Sequence, residues 1–142
     1  MGRDRGQSLA ARLRAGIDSR NEEQAREKAE AAARVRLLGE ERERLLGDLC
    51  AFGEAIGHLS VKRGKGTVDF VYERKKVRFK AIDNADRIRV SGGDLPDHTE
   101  IAMQEELNLW IVKSPVGLNR VEQDPLFDKG LERIMFLGLG ID

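Results

Sequence analysis

With 142 residues the chain has room for one compact domain plus an extension, not for two full domains. A hydrophobic fraction of 40%, a charged fraction of 35% and only 5% aromatics argue against a large dense core and for a smaller one joined to a solvated helix. The formal net charge is zero, with 25 basic and 25 acidic residues, and this hides a segregation of signs. Residues 1–20 carry five Arg against Asp4 and Asp18, and residues 61–80 carry eight Lys or Arg against Asp69 and Glu73. Residues 91–142 reverse the balance with ten acids and four bases. The single cysteine, Cys50, excludes an internal disulfide and fits a reducing, cytoplasmic compartment. No apolar run approaches the ~18–20 residues of a membrane span, and no apolar signal core opens the sequence. Leu9, Leu13 and Ile17 give the Arg-rich start a mild amphipathic stripe, but Asp4 and Asp18 count against a transit peptide or a membrane-surface helix.

From Ser8 to Leu59 there is no proline, and Ala, Glu, Arg and Leu dominate, so this half is expected to be helical. Gly16-Ile17-Asp18-Ser19 predicts an interruption, because Ser19 and Glu22 form a capping-box pattern. The expected division is a basic arm or short helix over 1–19, a long charged helix over 20–59 and a small α+β domain over 60–142. Leu38, Leu45, Leu49, Phe52, Ile56 and Leu59 follow alternating steps of three and four, with Arg42 in the one missing slot. Upstream the same frame meets Lys28 and Gln24, so the heptad seam fades toward the N-terminus. Pairs such as Glu22–Arg26, Glu30–Arg34 and Glu40–Arg44 each contribute about 0.2–0.5 kcal/mol to a helix in water. Two uses of the seam stay open. It pairs with a second helix as a coiled coil, or Leu38–Leu59 packs on the sheet that follows, which we expect for its C-terminal two turns. Gly39 is a second candidate bend.

After Gly64-Lys65-Gly66, expected as a helix-to-strand turn, the periodicity changes to two. Thr67–Glu73 and Lys76–Ile82 read as a hairpin around Arg74-Lys75, with Phe70 opposite Phe79 and Asp69 opposite Lys80. Arg87–Ser91 is a third strand. Asp97 and Glu100 predict a short helix to Glu106, and Asn108–Lys113 an inner strand, with Leu118–Glu122 as a further strand. Asp124-Pro125 predicts the start of a last helix, closed by Gly138, whose Leu126, Phe127, Leu131, Ile134, Met135 and Leu137 cover one sheet face. The fold class is therefore α+β, with a long N-terminal helix of coiled-coil spacing and a small antiparallel sheet backed by helices. The run Leu109-Trp110-Ile111-Val112-Lys113-Ser114-Pro115 resembles the tryptophan strand of frataxins, whose helix–sheet–helix order is similar. The similarity covers seven residues and the element order, and it carries no function.

Chemistry has little purchase on this sequence. His58 and His98 lack a second ligand at metal spacing, and Cys50 lies beside the seam as a structural thiol. Gly64-Lys65-Gly66-Thr67 misorders a phosphate loop, which needs Lys directly before Ser or Thr. We therefore expect no catalytic residue, no metal and no cofactor. The expected function is that of a scaffold or adaptor which self-associates, or docks a partner helix, through Leu38, Leu45, Leu49, Phe52 and Ile56. On that reading Leu45→Asp or Leu49→Asp lowers the oligomeric state. The alternative is nucleic-acid binding by a basic sheet face made of Lys76, Arg78, Lys80, Arg87 and Arg89, moderated by Asp69 and Glu73 on the same face. An acidic protein surface, such as the C-terminal region of a second copy, is a further partner for that patch.

Overall fold

A run of strong helix formers with no proline gives one helix, α1 (Gly2–Ile56), in a computed structural model that describes residues 2–115 and 121–141. The interruption expected at Gly16–Ser19 does not occur, and the helical assignment continues through Gly39. Ser19 stays inside the helix, because the backbone ladder on either side outcompetes its local capping bond. By internal contacts the chain divides into Met1–Leu37 and Leu38–Asp142. In the first unit Leu9, Leu13, Ile17 and Val35 are exposed, so this part of the helix rests on its own backbone ladder.

In the second unit the polypeptide forms a seven-stranded antiparallel meander in sequence order. The strands are β1 (Ser60–Gly64), β2 (Thr67–Tyr72), β3 (Lys75–Ala81), β4 (Arg87–Ser91), β5 (Glu100–Gln104), β6 (Leu109–Pro115) and β7 (Val121–Pro125). Alternation places Val68, Phe79 and Val90 in one cross-strand row, and Ile88, Ile101 and Val112 in another. These residues are buried together with Leu45, Leu46 and Leu49 of α1 and with Leu131, Ile134, Met135 and Leu139 of α2 (Leu131–Leu139). One sheet face thus meets both helices. Phe70 and Phe79 meet edge to face with centroids 5.3 Å apart. The α+β class stands as expected, and the last turns of α1 do cover the sheet.

Several local expectations are corrected. β1 occupies residues expected as helix end and turn, because SVKRG has a single apolar residue and so no alternation; Lys65-Gly66 is instead a strand-to-strand turn joining Gly64 to Thr67. The β2–β3 register is shifted by two, pairing Val68 with Phe79 and Asp69 with Arg78, so the turn is Glu73-Arg74. A shift of two keeps every side chain on its expected face. The helix expected from Asp97 is strand β5. Thr99 donates to the Pro96 carbonyl at 2.7 Å in a local turn, and the residues beyond it pair with both β4 and β6.

At the C-terminal end Asp124 and Pro125 belong to β7 rather than to a helix start, and an irregular π-type segment, Leu126–Gly130, precedes α2. The stop is Gly140, in the left-handed conformation at φ 65, not Gly138. Gly138 lies under β3, where a Cβ would stand 2.2 Å from Val77 Cγ2. Of the last helix's six expected cover residues, Leu126, Leu131, Ile134 and Met135 are buried while Phe127 and Leu137 are exposed. For the strand expected at Leu118–Glu122, residues 118–120 lie outside the described residues, and β7 begins at Val121.

Arg42, which breaks the heptad seam, has a structural role of its own. Its Nη1 donates to the carbonyls of Ile82 (2.7 Å) and Asn84 (2.8 Å), tying α1 to the β3–β4 turn. An aliphatic residue in that slot would leave two turn carbonyls without this donor.

Candidate functional site

The seam residues named from the sequence separate into two groups. Leu45 and Leu49 are buried in the domain's own core, and Leu38 is half-buried. Phe52 and Ile56, one and two turns beyond Leu49, instead line an apolar groove of about 530 Å³. Leu59 continues that wall past the helix end.

The opposite wall is α2. Leu131, Met135 and Leu139 recur at steps of four, so they lie on one helical stripe and form the floor, being nearly fully buried. Phe136, 43% exposed, and Ile141 rise on the same side, and Phe127, 58% exposed, closes one end. The non-helical Phe127 and Asp128 backbone (φ/ψ of −90/30 and −126/−115) turns the chain between β7 and α2 at this end of the groove. Both charged lining residues are acids, Asp128 and Glu132. Lys129 stands exposed between them in sequence but does not line the groove. Apolar walls with half-exposed aromatics at the rim and charge at the edge match the anatomy of a protein interface. Sequence reasoning missed it because the walls come from opposite ends of the domain. The available signal was an excess of apolar residues at 126–141 over what one sheet face needs.

The basic residues named from the sequence do share the other face of the sheet, since cross-strand partners Lys80 and Arg89 stand side by side. Acids are interleaved with them. Arg78 binds Asp69 through two hydrogen bonds (2.9 and 3.2 Å), Lys76 lies 3.8 Å from the same carboxylate, and Arg87 lies 3.4 Å from Glu100. Arg89 is also directly opposite Glu100 in the β4–β5 register. The hydrogen bond from Arg78 holds the Asp69 carboxyl below the usual carboxylate range, against the opposing effect of partial burial and with help from the charges of Arg78, Lys76 and Lys62. A depressed folded-state pKa means the contribution to stability is present above the ordinary carboxylate pKa and is lost as pH falls through the depressed value. We expect Arg78→Leu to raise the Asp69 pKa in an NMR carboxyl titration; an unchanged pKa would show that the pair does not form in solution.

Cys50 is half-buried, with Sγ 3.7 Å from Glu54 Oε1, and His58 and His98 are both exposed. Among the described residues no group of three or more His, Cys, Asp or Glu side chains is placed to hold a metal ion. Among them, too, no helix is long and apolar enough to cross a membrane. The domain is thus an α+β unit with a concave surface that is apolar and acid-rimmed. Comparison with protein-family models, with curated proteins and with solved structures gave no match.

Proposed function

We propose that this chain is a non-catalytic interaction protein, a scaffold or adaptor that self-associates and engages helical segments in the groove between the end of α1 and α2. The observation that carries the reading is the pairing of a buried apolar floor (Leu131, Met135, Leu139) with half-exposed aromatic and aliphatic rims (Phe127, Phe136, Ile56). A helix offers apolar side chains at steps of three and four, which is the pattern two helical walls accept. The long helix retains its part in this proposal, but through Phe52 and Ile56 rather than through Leu45 and Leu49. Cytoplasmic residence belongs to the same proposal and rests on the single half-buried cysteine.

Nucleic-acid binding by the sheet face ranks second. It is supported by the Lys80–Arg89 neighbours and opposed by Asp69 and Glu100, which engage three of the five candidate cations. The test of the leading reading is the solution mass of the full chain, by light scattering over a range of concentrations, beside that of a Phe127→Asp/Phe136→Asp variant.

A further inference from the structure

Residues 2–37 of α1 carry an unpartnered stripe of the kind the groove accepts. Leu9, Leu13 and Ile17 are 52, 59 and 59% exposed and stand at i, i+4 and i+8. At 100° per residue they fall within a strip about 80° wide, joined by the small Gly6, Ala10 and Gly16. Arg5 and Arg12 flank the strip on one side and Arg14 on the other, all three exposed. Eight residues of helix span about 12 Å. The groove's α2 wall presents Leu131, Met135 and Leu139 over the same eight-residue interval, so three knobs face three floor positions in matching length. Charge agrees as well: arginines border the stripe, and the two charged lining residues of the groove are Asp128 and Glu132.

We infer that the occupant of the groove is the Leu9–Ile17 segment of a second copy of this chain. The inference rests on the proposed function and names the partner it leaves open. Each copy offers one stripe and one groove, so two copies that exchange helices make two identical contacts per dimer. Apolar knobs seated between α1 and α2 supply the affinity, and the Arg–acid border sets the orientation and speeds encounter.

A mixing experiment on the full-length chain tests this. Leu13→Asp spoils the stripe and leaves the groove intact, whereas Phe136→Asp spoils the groove and leaves the stripe. Light scattering after size exclusion is expected to show self-association of the parent chain. Each variant alone should dissociate at least tenfold more readily. An equimolar mixture should regain mass, because the Leu13→Asp chain still offers a groove to the intact stripe of the Phe136→Asp chain. Phe127→Asp serves as the groove variant if Phe136→Asp abolishes the cooperative melt. A parent chain that is monomeric at every concentration overturns the inference, and so does a mixture of two dissociated variants that regains nothing, because the stripe of one copy would then not be entering the groove of the other. If Leu13→Asp keeps the parental mass while the groove variants dissociate, the occupant is a different segment and only this inference fails. If the folded groove variants keep the parental mass too, the proposed function fails with it.

Discussion

Leu49→Asp is expected to unfold the domain rather than to separate its copies. Leu49 is fully buried, at 0% exposure, among Phe70, Phe79 and their neighbours in the core. Truncating such a leucine to alanine costs about 2–5 kcal/mol, and a carboxylate in the same place adds an unpaired buried charge. The whole stability of a domain is of order 5–15 kcal/mol, so the loss is comparable to the total. Circular dichroism should show a cooperative melt in the parent and none, or one shifted far downward, in Leu49→Asp. Leu107→Asp is the control, since its side chain is 62% exposed and lies in neither the stripe nor the groove, so its melt should match the parent's. A Leu49→Asp chain that melts like the parent but has a lower mass would restore Leu49 to an interface and remove it from the core.

The second large effect is a reversal of sign between two glycines of the same helix. Glycine inside a helix costs about 1 kcal/mol relative to alanine, so Gly→Ala ordinarily stabilises. At Gly39 nothing lies within 4 Å of an added Cβ, and Gly39→Ala should raise stability by about that amount. At Gly53 an added Cβ would stand 2.2 Å from Phe70 Cε1 and 2.6 Å from Val61 Cγ2. Phe70 is buried and held edge to face against Phe79, so its ring cannot swing away freely. Overpacking of this kind costs about 1–3 kcal/mol, and here it outweighs the propensity gain. Urea unfolding should therefore move the midpoint up for Gly39→Ala and down for Gly53→Ala; two upward shifts would mean that α1 does not approach the sheet this closely.

What the sequence made legible, and what it hid, follow from how local each signal is. The sides of β2 and β3 were readable because alternation is a property of adjacent residues. Their register was not, because a slip of two preserves every face and gives Asp69 a basic partner either way, Lys80 or Arg78. Strand β5 was hidden by its composition. Glu100, Ala102, Met103 and Gln104 are good helix formers, and both Ile101 and Ala102 are buried although they point to opposite faces, so no alternation shows. Pairing with β4 and β6 overrides the local preference. The helical seam was legible as a pattern but not in its use: identical spacing sends Leu45 and Leu49 into the core while Phe52 and Ile56 line the groove. Only the return of residues 126–141 from the far end of the chain distinguishes them. The basic strands were legible as charge, but their neutralisation depends on cross-strand neighbours such as Glu100.

The central claim is that the acid-rimmed groove is an interaction surface on an otherwise self-sufficient domain. Solution mass and thermal melt, measured together on the parent chain and on Phe127→Asp/Phe136→Asp, test it most directly. Phe127 is 58% and Phe136 43% exposed, so the variant should keep a cooperative melt while its mass falls to that of a single chain. A variant that melts like the parent and keeps the parental mass at every concentration would contradict the claim.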